Sequence, residues 1–192
     1  MHDRFIQHLE EKITLTEEQS NIVRKYLTPK KLRKKQYLIQ EGDVAKYIAF
    51  VETGLLRSYT VDDKGNEHIL QFAMEGWTIS DLDSFLNLTP ATYNIDALED
   101  CELTLISRSS HDAILKEVPG YDAYIRMQIT GAYIAMQKRI TSLISLSVEE
   151  RYLNFVKLFP EVIQRVPQHM IASFMGLTPE TLSRIRGKLK SK

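Results

Sequence analysis

The chain of 192 residues holds one cysteine, one tryptophan and five histidines. With Cys101 alone, a disulfide framework and a four-cysteine zinc or iron–sulfur site are both excluded. A single thiol also fits a reducing cytoplasm. The histidines (His2, His8, His68, His111 and His169) are scattered, and no His-x-His pair exists to anchor the metal of a cupin-like enzyme. No metal or other cofactor is expected. Apolar runs are short: none approaches the ~18–20 residues of a membrane span, and Met1-His2-Asp3-Arg4 opens no signal region. A soluble, cytoplasmic protein without membrane contact is expected. There is no serine–histidine–acid or P-loop arrangement, so enzymatic activity is not expected.

Net charge is absent too, with 25 Lys+Arg against 25 Asp+Glu. The whole surface is therefore no basic coat for nucleic acid. The distribution is uneven, however. From position 165 onward Arg165, Arg184, Arg186, Lys188, Lys190 and Lys192 are opposed by Glu180 alone. A basic end on a neutral chain suits a protein in which one module touches DNA.

That end is Gln168-His-Met-Ile-Ala-Ser-Phe-Met-Gly-Leu-Thr-Pro-Glu-Thr-Leu-Ser-Arg-Ile-Arg-Gly-Lys-Leu-Lys190. It reads as two short helices around a tight turn. The first spans about 168–174, with Ile171, Ala172 and Met175 inward. Gly176 supplies the left-handed backbone of the turn. Thr178 caps the second helix, and Pro179 stands at its first position, where the missing N–H costs nothing. Leu182, Ile185 and Leu189 recur at helical spacing. Glu180, Ser183, Arg184 and Lys188 remain on the other side. This is the construction of a DNA-reading helix-turn-helix. Glu180 can accept from a cytosine amino group and Arg184 can take guanine. Lys188, Lys190 and Lys192 stand near phosphates. The plain alternative is a helical hairpin whose Glu180 and Arg184 form an i,i+4 pair.

Upstream, Phe5, Ile6, Leu9 and Ile13 space as one amphipathic helix. Thr16-Glu17-Glu18-Gln19 caps a second, carrying Ile22, Val23, Tyr26 and Leu27. Thr28-Pro29 stops it, and the basic run 30–35 reads as a solvated strand edge. Alternating segments follow at 36–40, 47–51, 55–61, 68–74 and 102–106, separated by turn signals such as Glu41-Gly42-Asp43 and Asp62-Asp-Lys-Gly-Asn66. Many short strands with regular turns argue for a jelly roll. Helical period returns at His111. After Pro119-Gly120 a long helix spans about 121–146, with Ile125, Ile129, Ala132, Met136, Ile140 and Leu143 in one stripe. Tyr124, Met127, Gly131 and Ile134 lie on a neighbouring face. Two apolar faces require two partners: the roll of the same chain and a symmetry mate, as a parallel helix pair. Burial within one chain is the alternative. Ser147 caps a helix over 148–159, ended by Pro160.

Three stretches carry a resemblance over nearly the full chain: Ile39-Gln-Glu-Gly-Asp43 with Tyr47-Ile-Ala-Phe-Val-Glu-Thr-Gly54, Ala97-Leu-Glu-Asp-Cys-Glu-Leu103, and Leu177-Thr-Pro-Glu-Thr-Leu-Ser-Arg-Ile185. They resemble the cyclic-AMP receptor protein / fumarate-nitrate-reduction regulator family of bacterial transcription factors. The resemblance implies an α+β protein. Its parts are an N-terminal double-stranded β-helix (jelly-roll, cyclic-nucleotide-binding-like) sensor over 1–118, a long dimerisation helix over 119–147 and a C-terminal helix-turn-helix over 148–192. It implies a homodimer on a palindromic double-stranded DNA site, an unidentified small-molecule effector, and RNA polymerase as a further partner. Gln168, Thr178, Glu180, Thr181, Ser183, Arg184 and Lys188 become the candidate DNA-binding residues. Pro179 replaces the arginine often found before that glutamate, which changes the expected half-site. The chain ends soon after Leu189, and the segment 159–168 is short for the usual hairpin, so the wing is reduced.

In cyclic-nucleotide binders of this family a Gly-Glu pair holds the ribose, and an arginine about ten residues on neutralises the phosphate. Here Ser80-Asp81 stands for the pair and Ala91 for the arginine, in a region made acidic by Glu75, Asp81 and Asp83. Cyclic AMP is therefore not the expected effector. Trp77, Ser80, Asp81, Thr92, Tyr93 and Asn94 form the candidate pocket for another ligand, or are plain core and loop residues. Haem, sensed by some members, needs a ligand such as His68 or Cys101, and no pattern supports either. The alternative to a DNA regulator is a cyclic-nucleotide or other small-ligand module acting through protein contacts, its helix-turn-helix vestigial.

Overall fold

The computed structural model describes residues 3–190, without the side chain of Lys190. The expected phosphate contacts of Lys190 and Lys192 lie outside the described residues, as does His2. Helices α1 (Asp3–Glu10) and α2 (Glu17–Lys25) lead into β1 (Thr28–Leu32), β2 (Tyr37–Ile39), β3 (Tyr47–Thr53), β4 (Leu56–Val61), β5 (Glu67–Ala73) and β6 (Thr78–Ile79). A short α3 (Leu82–Asn87) precedes β7 (Asn94–Ala97) and β8 (Cys101–Ser107). The remainder is helical: α4 (Arg108–Glu117), α5 (Tyr121–Ser145), α6 (Val148–Leu158), α7 (Pro160–Arg165), α8 (Gln168–Phe174) and α9 (Pro179–Lys190).

The strands form two antiparallel sheets in the orders β1-β8-β3-β6 and β2-β7-β4-β5. Successive strand residues point to opposite faces, and that alternation sorts the apolar side chains into three cores. Ala49, Val51, Leu103 and Leu105 of one sheet meet Leu56, Ala73, Ile95 and Ala97 of the other between the layers. Phe50 and Ile106 point outward, against Phe5, Ile6, Leu9, Ile114, Tyr121 and Tyr124 of the N-terminal helices and the helices that follow β8. On the opposite outer face Tyr59, Ile69 and Phe72 pack with Phe155, Ile171, Ala172, Leu182 and Ile185. The roll is thus sandwiched between two helical layers.

Local chemistry pins these layers. Thr16 and Gln19 form a reciprocal capping box at the start of α2. The buried Glu52 carboxylate accepts from the N–H groups of Arg4 and Phe5 at 3.1 and 3.3 Å, which lack partners within α1. It also takes the Thr104 hydroxyl at 2.6 Å. Gly54 turns β3 into β4 at φ +99°, and a Cβ there would stand 2.6 Å from Cys101 Sγ and 2.7 Å from the Asp100 carbonyl oxygen. Only glycine satisfies both constraints.

Two expectations change. Pro160 does not only end the helix before it; as the first residue of α7 it begins another. The long helix also gives its own roll less than expected. Tyr121 and Tyr124 are buried and Ile125 half-buried, but beyond them Met127, Ile134 and the stripe of Ile129, Met136, Ile140 and Leu143 are exposed. Both apolar faces of α5 are open over most of its length. No described helix is long and apolar enough to cross a membrane.

Candidate DNA-binding face and sensor cassette

The α8–α9 pair is built as its residue types dictate. Ala172, fully buried, stands where the helices approach, and the Leu177 N–H returns to its carbonyl at 2.9 Å. Gly176 takes φ +68° in the turn. Thr178 Oγ1 accepts from the Thr181 N–H at 3.3 Å, and Pro179 opens α9. Leu182 and Ile185 seal the inner side, leaving Glu180, Ser183, Arg184 and Lys188 exposed and Thr181 half-buried. The alternative Glu180–Arg184 ion pair does not form among the described residues. The backbone N–H at Glu180 and the Thr178 hydroxyl hold the Glu180 carboxyl below its ordinary value, so it presents an ionised acceptor. Gln168, at the start of α8, keeps a buried Oε1 without a hydrogen-bond partner beside Pro179, Leu182 and Ser183.

Two of the cations at the basic end are already engaged. Lys188 Nζ donates to Glu149 Oε1 at 2.5 Å. Arg165 turns away from α9 and forks into the roll. Its Nη1 and Nη2 reach Glu75 at 2.8 and 3.0 Å, while Nε and Nη2 reach Glu99 at 3.0 and 2.6 Å. The C-terminal helices are bonded to the roll at the free edge of β5 as well. Ser173 Oγ donates to the Glu67 carbonyl at 2.7 Å and accepts from the Ile69 N–H at 3.0 Å. Sequence spacing marked neither Arg165 nor Ser173, because each looks like an ordinary polar residue on a short helix.

The cassette around α3 closes on itself. Asp81 is 2% exposed; its Oδ1 accepts from the Ser84 N–H at 3.1 Å. Its Oδ2 accepts from the Thr92 N–H at 2.9 Å and the Thr92 hydroxyl at 3.3 Å. Tyr93 donates to the Ser80 carbonyl at 3.0 Å, and Ser80 to that of Tyr47 at 2.9 Å. Burial, with the charge of Asp81, pushes the Tyr93 hydroxyl up to about 12. Ala91 lies in the inter-sheet core. Ser80, Asp81, Thr92 and Tyr93 therefore come together. Trp77 packs against the same core as Tyr93 and also meets Phe159 edge-on at 5.7 Å, and Asn94 Oδ1 accepts from the Glu41 N–H at 3.0 Å.

Residues 29–118 match the cyclic nucleotide-binding domain family. The chain is 27% identical over 172 residues to the fumarate and nitrate reduction regulatory protein of Yersinia pestis, a match covering 84% of this chain and 68% of that protein. It is 24% identical over 172 residues to the regulatory protein HlyX of Actinobacillus pleuropneumoniae, covering 84% and 71%. Among solved structures, FixK2 from Bradyrhizobium japonicum matches with TM-score 0.72 at 21% identity, over 86% of this chain and 85% of that one. The c-di-GMP responsive regulator CLP of Xanthomonas campestris matches with TM-score 0.71 at 16% identity, over 92% of each chain. These structural likenesses establish a shared fold.

Proposed function

We propose, from the premise that the chain belongs to the cyclic-AMP receptor protein / fumarate-nitrate-reduction regulator family, that it is a homodimeric transcriptional regulator reading a palindromic DNA site through α9. In this reading residues 1–118 sense, 119–147 dimerise and 148–192 bind DNA. The observation that carries it is the exposed row Glu180, Ser183 and Arg184 on a helix whose opposite side is sealed by Leu182 and Ile185. Arg184 takes guanine in the major groove and Glu180 accepts from a cytosine amino group. Gln168, Thr178, Thr181 and Ser183 line the approach of the phosphate backbone, and Lys188 joins them once it leaves Glu149.

The roll senses something other than cyclic AMP. An anionic phosphate placed against Thr92 would compete with the Asp81 carboxylate for the same N–H and hydroxyl donors. The two charges would repel, and Ala91 supplies no cation to offset them. The absent charge-assisted pair is worth roughly 1.5–3 kcal/mol.

Selection of duplexes from a random pool, with and without cyclic AMP, tests both statements. A palindrome should be enriched equally in the two arms. Enrichment only with the nucleotide overturns the effector reading, and no enrichment in either arm overturns DNA reading. On the selected site Arg184→Ala should lower affinity by about 1–3 kcal/mol, with the fold intact by circular dichroism. Unchanged affinity would remove Arg184 from the base-reading set.

A further inference from the structure

The reading helices of a two-fold dimer match DNA only when their separation equals the distance between half-sites, about 34–36 Å for one turn. Each base-pair step is ~3.4 Å. A shift of roughly half a step in each helix therefore changes the matched spacing by one base pair. Something must hold α8 and α9 at a fixed angle to α5, the helix that carries the proposed two-fold seam. The chain link between α5 and α6 consists of Leu146 and Ser147 alone.

Arg139 reaches from α5 directly to α8. It lies on α5 beside the stripe residues Met136 and Ile140, and its guanidinium reaches two other bodies. Nη1 donates to the Leu70 carbonyl at 2.6 Å, and Nη2 to the Phe174 carbonyl at 2.9 Å. Neither carbonyl is an arbitrary surface acceptor. Leu70 is the extra residue of a β-bulge in β5, where Ser58 pairs with Gln71 but Tyr59 pairs with Ile69. A bulge leaves its residue outside the ladder and re-aims it. Phe174 is the last residue of α8, so its carbonyl has no donor within the helix.

The Phe174 ring supplies a third contact, with the Arg139 guanidinium carbon 4.1 Å from its centroid. That ring is itself fixed, with Phe72 of the roll at 5.4 Å and Phe155 of α6 at 5.3 Å. Burial draws the Arg139 pKa below its ordinary value, and among the described residues two carbonyl dipoles and an aromatic face, rather than a carboxylate, hold its charge. A planar fork can meet both carbonyls at one orientation of the helices; a single ammonium cannot.

We infer that Arg139 is a positioning residue that fixes the reading helix relative to the long helix, and so determines which half-site spacing the protein accepts. This rests on the DNA reading proposed above and adds to it a specificity determinant that touches no base.

The test measures the full-length protein, its Arg139→Met variant and its Arg139→Lys variant on duplexes carrying the selected half-site once, or twice at graded spacings. The parent should prefer one spacing over its neighbours by about tenfold, or ~1.4 kcal/mol. Arg139→Met should keep single half-site affinity and dimer mass, while its preference falls to about twofold or less. Arg139→Lys should lie between the two. An Arg139→Met profile as sharp as the parent's overturns the inference, as does an equal loss at every spacing, which marks a merely structural role. A parent that binds single half-sites but prefers no spacing overturns it while leaving DNA reading intact. A parent that binds no duplex brings down both.

Discussion

A Met136→Glu protein should run as a monomer by light scattering, at concentrations where the parent runs as a dimer. The stripe of Ile129, Met136, Ile140 and Leu143 stands about half exposed in the single chain, from 49% at Leu143 to 56% at Ile129. Ile144, at 81%, extends the open surface. Apolar surface of that extent on one helix is the signature of a partner, and in the proposed homodimer a second copy of α5 would cover it by symmetry. A parallel two-fold seam brings residue 136 of each chain close to its mate, so the substitution places two carboxylates together in an apolar interface. Burying such charges without a counter-ion costs several kcal/mol, enough to raise the dissociation constant by two or more powers of ten. Affinity for the palindrome should fall with it, while single half-site binding survives. A dimer of unchanged mass would remove this seam.

Arg165→Ala should lower the melting temperature by roughly 4–12 °C. The fork to Glu75 and Glu99 is only partly solvated, with the Arg165 side chain 24% exposed and that of Glu75 22%. Breaking a buried pair typically costs ~3–5 kcal/mol. Partial exposure reduces this to about 2–3 kcal/mol, and a chain of this length loses ~2–4 °C per kcal/mol. The same fork gives stability a pH signature. Burial alone would push the Glu75 carboxyl up, but Arg165 and the N–H groups of Glu75 and Gly54 outweigh it and hold the value at about 2, against 4.5 ordinarily. A carboxylate held low in the folded state stabilises it above the ordinary value and loses that contribution as pH falls. The parent should therefore weaken between pH 4.5 and 2, and Arg165→Ala should flatten that slope. A variant melting with the parent, or with the parent's acid slope, would show that the fork is dispensable.

Arg165 also marks how far residues alone can be read. By sequence it belongs to the basic end of the chain; in the fold its charge meets Glu75 and Glu99, which lie 90 and 66 positions away. Local pattern does not encode partners at that range. What it did encode was local: the Thr16, Ser147 and Thr178 caps, the glycine turns, the inward Ala172, Leu182 and Ile185, and the open stripe of α5. The short β6 and β7 escaped because two and four residues are too few to show alternation. In the cassette, sequence gave the acidic substitution at Asp81 and the missing cation at Ala91. That the Asp81 carboxylate seats on Thr92 depends on the path of the chain between them. Arg139 was invisible for the same reason, since nothing in its spacing separates it from Arg126 or Lys138.

The third core has a bearing on how the molecule comes into being. Tyr59, Ile69 and Phe72 belong to strands made early, yet their cover is α6 to α9, made later; the bond from Ile69 to Ser173 joins positions 104 apart. While a ribosome is still extending the chain, the roll has closed its inner core but presents a bare aromatic sheet face next to an unpaired edge. Such surfaces are what aggregation and chaperones both recognise in unfinished proteins. A message broken before codon 148 would therefore yield a sticky fragment rather than a working half.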